Sequence, residues 1–219
     1  MPAPDIRLYA LVDASLGADR LPTLAGLAAR NGATLIQYRD KTAGTRAMVE
    51  RARAIRAALA GTGVPLLVND RVDVALAAGA EGVHLGREDM LPGEARALLG
   101  PNAIIGITVK NEADAHGAAS PCVDYACIGG VFETLSKKNP DAPVGLEGLA
   151  HLRALVRTVR PEIPVGAIAG IDLARTPLVL AAGADGVALI SALFRAKDVP
   201  ETARAFRAAV DAALMERGR

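Results

Sequence analysis

The chain has no tryptophan, and aromatic residues make up only 3% of its 219 positions. Surfaces that stack unpaired bases need several rings, so a reader of single-stranded nucleic acid is not expected. Charge of one sign is also missing. Twenty-five lysines and arginines face 24 aspartates and glutamates, a formal net charge of +1. This leaves no global attraction to nucleic acid or to an anionic membrane, so any anion site must be local. No stretch reaches the roughly 20 apolar residues that span a bilayer. The opening MPAPDIRLYALVD lacks a basic region followed by an apolar core, and a cytoplasmic protein is the expectation. Only two cysteines occur, Cys122 and Cys127, which suits a reducing compartment and a packed interior. His84, His116 and His151 do not have the spacing of metal ligands.

What the sequence does have is repetition. Short apolar or β-branched runs at 8–12, 34–39, 65–69, 82–85, 104–109, 125–129, 164–168 and 186–190 read as strands bounded by glycine, proline or polar residues. Helical stretches lie between them. In 45–59, Met48, Ala52, Ile55 and Leu59 form one apolar stripe; 146–159 and 201–215 are further helices. Strands apolar on both faces indicate a parallel sheet covered by helices. Eight such units fit a closed, single-domain (β/α)8 TIM barrel of the α/β class better than an open sheet. AAGAEGVHLG (77–86) echoes AAGADGVALI (181–190), and AARNGATLIQ (28–37) is a weaker copy. The need for glycine at a helix stop explains these echoes, so they speak for fold and not for function. The longest irregular stretch, 130–145, is expected to be a mobile loop over the active site.

Barrel active sites lie at the C-terminal ends of strands. Gln37 and Arg39 are two apart on the second strand and therefore point the same way, inward. An inward arginine needs an anion: either a structural pair with Asp70 or a phosphate held by its planar fork. Asp70 and Asp89 end adjacent strands. Two carboxylates there repel unless a cation intervenes, and Mg2+ accepts one or two protein carboxylates with water and phosphate oxygens. Helix capping is the plainer reading of each. Gly170 and Ser191 follow the seventh and eighth strands, a frequent phosphate position, although a turn glycine and a capping serine would look the same. His84 reads as a core histidine and Asp13 as a cap.

Four strings together are similar to the thiamine-phosphate synthase family from residue 9 to about 210: GATLIQYRDK (32–41), PLLVNDRVDVALAAGAEGVHLGRED (65–89), IGGVFETLSKKNPDAPVGLEGL (128–149) and AGADGVALISALF (182–194). The resemblance implies that an aminopyrimidine-methyl diphosphate and a thiazole phosphate combine to give thiamine phosphate and pyrophosphate. Arg39, Lys41, Asn69 and Lys137 match diphosphate-holding positions. Asp70 and Asp89 match the magnesium ligands, and Gln37 a pyrimidine contact. Thr108, Thr134 and Ser136 match small polar positions around the substrates. Gly170, Ile190 and Ser191 match the backbone cradle of the thiazole phosphate. Arg39, Lys41 and Lys137 are the expected catalytic cations. Ala169 departs from a glycine, and Thr108 from a serine, found in many relatives. The alternatives are a thiazole-rearranging barrel, a non-catalytic sensor of thiamine precursors, and a sugar-phosphate isomerase. The isomerase would need a general base beside a carbon acid, and no well-placed pair is visible. Oligomeric state is left open.

Overall fold

The computed structural model describes residues 3–134 and 142–218. Eight parallel strands close on themselves in sequence order: β1 (Leu8–Asp13), β2 (Leu35–Arg39), β3 (Leu66–Asn69), β4 (Gly82–Leu85), β5 (Ile104–Val109), β6 (Tyr125–Ile128), β7 (Val165–Ile168) and β8 (Gly186–Leu189). β8 pairs with β1, with Leu8 opposite Val187, so no sheet edge is left within the barrel. The expected (β/α)8 barrel is therefore the architecture found.

Alternation along each strand divides the side chains between two cores. Those pointing outward, such as Leu8, Ala10, Ile36, Val68 and Val83, pack under the helices in one large apolar cluster. Those pointing inward, including Tyr9, Leu11, Leu35, Leu67, Tyr125 and Cys127, fill the barrel. The helices α1 (Leu21–Arg30), α2 (Thr45–Ala58), α3 (Val72–Ala78), α4 (Pro92–Leu99), α5 (Glu112–Gly117), α6 (Gly145–Val159) and α7 (Thr176–Ala181) follow the first seven strands. Their buried residues repeat at helical spacing, as in Met48, Ala52 and Ile55 of α2. After β8 comes a single extra turn, α8 (Ser191–Phe194), and then α9 (Val199–Arg217). The sequence pattern did not reveal α8, because four residues are too few to show a period. α9 starts two residues before the expected position: Asp198 accepts a hydrogen bond from the Glu201 N–H and Pro200 stands in the first turn.

The repeated turns at the bottom of the barrel have a structural partner. Before each even-numbered strand stands a residue that grips the preceding odd strand at two points. The backbone N–H groups of Thr34, Glu81, Asp124 and Asp185 donate to the carbonyls of Leu8, Leu66, Ile105 and Val165. Their side chains accept from the N–H groups of those same four residues. In three cases an arginine from the earlier helix completes the clasp: Arg56 on Glu81, Arg96 on Asp124 and Arg157 on Asp185. The sequence echo at Thr34, Glu81 and Asp185 was one symptom of this arrangement; Asp124 is its disguised fourth member.

Candidate active site

At the C-terminal end of the barrel the inward residues line an open-mouthed cavity of about 920 Å3, mouth included. Gln37 and Arg39 from β2, Asn69 from β3, His84 from β4, Thr108 and Lys110 from the end of β5 and Cys127 from β6 all border it. Thr134, Ala169, Gly170 and residues 190–192 complete the wall. Of the expected site residues, Gln37, Arg39, Asn69, Thr108, Thr134, Gly170, Ile190 and Ser191 are thus brought to one cavity. Ser136 and Lys137 lie outside the described residues, as does the 135–141 part of the loop expected to cover the site.

The floor is polar and connected. Gln37, 1% exposed, donates through Nε2 to the Tyr9 hydroxyl. Tyr9 and Tyr125 share a 2.8 Å hydrogen bond. Tyr125 reaches His84 Nδ1 at 2.8 Å, and His84 Nε2 meets Thr108 Oγ1 at 2.8 Å. Tyr125 fits because Gly106 is directly opposite it on β5; a Cβ there would come within 2.0 Å of the ring. Burial pushes both phenols well above their usual range and pushes the Cys127 thiol up to about 12. Sequence reading took His84 as a core residue and passed over Tyr9, Tyr125 and Lys110. The available signals were the inward parity of Tyr9, the mid-strand glycine opposite Tyr125, and the two-residue step from Thr108 to Lys110.

The far wall is backbone. The Val131 and Phe132 N–H groups donate to the Ile168 and Ala169 carbonyls, tying the loop after β6 to the loop after β7. This close approach requires a glycine at 170: with φ 64, an added Cβ would be 2.4 Å from the Glu133 carbonyl oxygen. Ala169 has φ 95, a region that costs a residue with a Cβ strain energy. Ser191 is the first residue of α8 and not its cap, a position held by Ile190.

Charge gathers around Arg39 and Asn69, although Lys41, Asp70 and Asp89 are not among the residues that line the cavity. Arg39 pairs with Asp13, not with Asp70, because β1 and β2 place Asp13 and Arg39 side by side in register. Asp13 is 5% exposed. Burial opposes its charge, but hydrogen bonds from Ser15 and the Arg39 guanidinium hold its carboxyl below the usual value. Asp70 pairs with Lys41. It caps no helix; α3 begins after Arg71, and Asp70 itself adopts φ 63. Asp89 accepts from the Gly86 N–H at 2.6 Å and does not cap α4, whose cap is Leu91. Burial first, and then the adjacent Asp70 carboxyl, raise the Asp89 pKa. The two carboxyls are within hydrogen-bonding reach of each other. Two crowded oxygen donors of like charge suit a hard divalent cation that finds its other ligands in water and substrate. Among the described residues no group of three or more such ligands occurs.

A barrel whose cavity sets a glycine-containing backbone wall beside Arg39 and Lys110, with two adjacent carboxylates following strands β3 and β4, has the parts of a phosphate-ester-binding enzyme barrel. Comparison with known proteins narrows the class. The thiamine monophosphate synthase family model matches residues 8–193, and the chain belongs to that family. It is 64% identical to the thiamine-phosphate synthase of Agrobacterium fabrum, over 97% of each chain. It is 46% identical to that of Xanthobacter autotrophicus, over 97% of this chain and all of the other. A thiamine phosphate pyrophosphorylase from Pyrococcus furiosus superposes with a TM-score of 0.83 at 36% identity, covering 96% of this chain and 98% of that one. Members of the family use a metal ion, and the oxygen donors of Asp70 and Asp89 fit one. Among the described residues no helix is long and apolar enough to cross a membrane.

Proposed function

We propose that the chain joins 4-amino-2-methyl-5-hydroxymethylpyrimidine diphosphate to a thiazole phosphate, releasing pyrophosphate and forming thiamine phosphate. The observation that carries this reading is the layout of one cavity. It has a polar floor at Gln37, Arg39 and Asn69 in its lining, and a backbone wall at Gly170 and 190–192; Asp70, which follows Asn69, pairs with Lys41 and adjoins Asp89. The pyrimidine would rest on the floor and its diphosphate against Arg39, Lys41, Asn69 and Lys137. The thiazole phosphate would sit on the N–H groups of Gly170, Ile190 and Ser191, with Thr108, Thr134 and Ser136 between the two substrates.

Asp70 and Asp89 would hold Mg2+, which when bound supplies charge neutralisation to the departing diphosphate. Lys41 is paired with Asp70 here, so its ammonium is already placed beside that carboxylate. The reaction needs the carbon–oxygen bond of the pyrimidine methylene to break and a bond from that carbon to the thiazole nitrogen to form. The sequence offers no obvious protein nucleophile for it, which favours a dissociative substitution. The 4-amino group would stabilise the methylene cation, and the residues would act through position and charge. A cation of that kind is quenched by water, so we assign the 130–145 loop the role of a lid. Free thiols at Cys122 and Cys127 accord with a cytoplasmic setting.

The test is pyrophosphate release by the purified protein. Release that needs both substrates and the metal supports the proposal. Saturable binding of the thiazole phosphate with no release would favour a sensor or a thiazole-rearranging enzyme.

A further inference from the structure

We infer that Arg175 is a positioning residue for the thiazole phosphate: from outside the cavity it fixes the Gly170 peptide on which that phosphate is proposed to sit. This rests on the reaction proposed above and adds to its site a side chain that no sequence motif pointed to.

Two demands meet at Gly170. It lines the cavity as part of the backbone wall. It also lies so close to the Glu133 carbonyl and the Phe132 side chain that no Cβ fits. Glycine satisfies the second demand and makes the first harder, because its torsions are the least restricted of any residue. The residue before it adds strain. Ala169 has φ 95 and Gly170 φ 64, so two successive residues are left-handed. A strained conformation of this kind persists only where its surroundings hold it. An anion site built from backbone N–H groups works through preset direction, so this turn needs a restraint from outside.

Arg175, just before α7, supplies that restraint. Its Nη1 donates to the Gly170 carbonyl at 2.6 Å. Its guanidinium carbon lies over the Phe132 ring, 4.5 Å from the centre. Phe132 lies against Gly170, and its own N–H donates to the Ala169 carbonyl. Gly170, Phe132 and Arg175 therefore close a triangle in which each touches the other two. Holding the carbonyl fixes the torsion on the C-terminal side of Gly170, and the stacked ring keeps the loop after β6 against the loop after β7. The arginine is itself anchored, since its backbone N–H donates to Asp172 Oδ1 at 2.8 Å. A guanidinium can hold the carbonyl and the ring at once, because its donors lie in its plane and its faces stay free to stack. Arg175 is not among the residues that line the cavity, so it acts through Gly170 and not on the substrate.

The experiment titrates the full chain in a calorimeter with two ligands, the thiazole phosphate and the dephosphorylated thiazole alcohol. Arg175→Met keeps the stem and removes the guanidinium. Its Kd for the phosphate should rise about tenfold, the loss of one charge-assisted hydrogen bond, while its Kd for the alcohol stays at the wild-type value. Phe132→Leu keeps the hydrogen bond and removes the ring, and should raise the same Kd about threefold. Arg175→Lys keeps a donor and should fall between wild type and Arg175→Met. In turnover, KM for the thiazole phosphate should rise with that Kd, and kcat and KM for the pyrimidine diphosphate should not change. A merely structural arginine predicts equal weakening of phosphate and alcohol together with a lower kcat. That result would overturn the assignment, and so would wild-type affinity for the phosphate in Arg175→Met. Phosphate affinity that falls as expected in Arg175→Met, in a protein whose wild type releases no pyrophosphate with both substrates and metal, would instead refute the proposed reaction and leave the role of Arg175 standing.

Discussion

Replacing Gly106 by alanine tests the packing of the barrel floor most directly. The added methyl would lie 2.0 Å from Cζ and 2.2 Å from Cε1 of Tyr125, distances that no side chain tolerates. Tyr125 is fully buried, and the contact is with the body of its ring, so the ring must move. Overpacking of this kind costs about 1–3 kcal/mol. Moving the ring also strains its hydroxyl links to Tyr9 and His84, each worth about 1 kcal/mol. The expected loss is about 3–5 kcal/mol, a large part of the roughly 5–15 kcal/mol that keeps a domain folded. In a chain of this size that lowers Tm by about 10 °C. Urea unfolding followed by far-ultraviolet circular dichroism gives the number. The control is Gly93→Ala at the start of α4, where an added methyl meets nothing within 4 Å among the described residues; it should stay within about 1 kcal/mol of wild type. Gly106→Ala combined with Tyr125→Leu should cost less than the sum of the single changes, because the clash disappears with the ring. A Gly106→Ala protein within about 1 kcal/mol of wild type, with an unchanged urea slope, would refute this account.

Other changes separate charge, strain and cradle. Asp70→Asn keeps a side chain that tolerates the left-handed backbone of that position, yet removes the charge; turnover should fall by about a thousandfold or more, with Tm within a few degrees of wild type. Ala169→Gly should raise stability by about 1 kcal/mol in a thermal melt, since relief of backbone strain exceeds the added flexibility of the unfolded chain. Ser191→Ala should cost less than tenfold in kcat/KM, because backbone N–H groups carry the proposed phosphate grip. Asp13 has a folded-state pKa below its unfolded value of 3.8, so the stability it adds is present above that pH and is lost as pH falls through the folded value. Wild type should therefore lose more urea resistance than Asp13→Asn between about pH 5 and pH 2.

The fold was legible because its determinants are local. Apolar runs, glycine stops and the stripe of Met48, Ala52 and Ile55 each act within a few residues. Parity was enough to place Gln37 and Arg39 inside the barrel. Partner choice was harder to read. Arg39 finds Asp13 and Lys41 finds Asp70, because pairing depends on register between strands and not on which acid follows the nearest motif. The polar floor was hidden for a related reason. Tyr9, His84 and Tyr125 sit in apolar strands, where a tyrosine or histidine resembles ordinary filling until the three strands are brought together. The backbone strain at Asp70 and Ala169 leaves no trace in residue type, since neither is glycine.

The clasps at the bottom of the barrel have a consequence for where the chain can be cut. Each joins an odd strand to the even strand after it, so the barrel is sewn as four two-strand modules. The ends of the chain already lie together, with Arg7 paired to Asp211 of α9 and β8 beside β1. A circular permutant opened at Gly61–Gly63, between the first module and the second, keeps both strand contacts of every clasp within one continuous stretch and parts only the exposed Arg56–Glu81 pair. One opened at Gly79, between β3 and β4, separates Leu66 from Glu81 in sequence and sends their reunion the long way round the chain. The first permutant should refold at nearly the native rate and the second more slowly, since distant contacts carry the larger closure entropy.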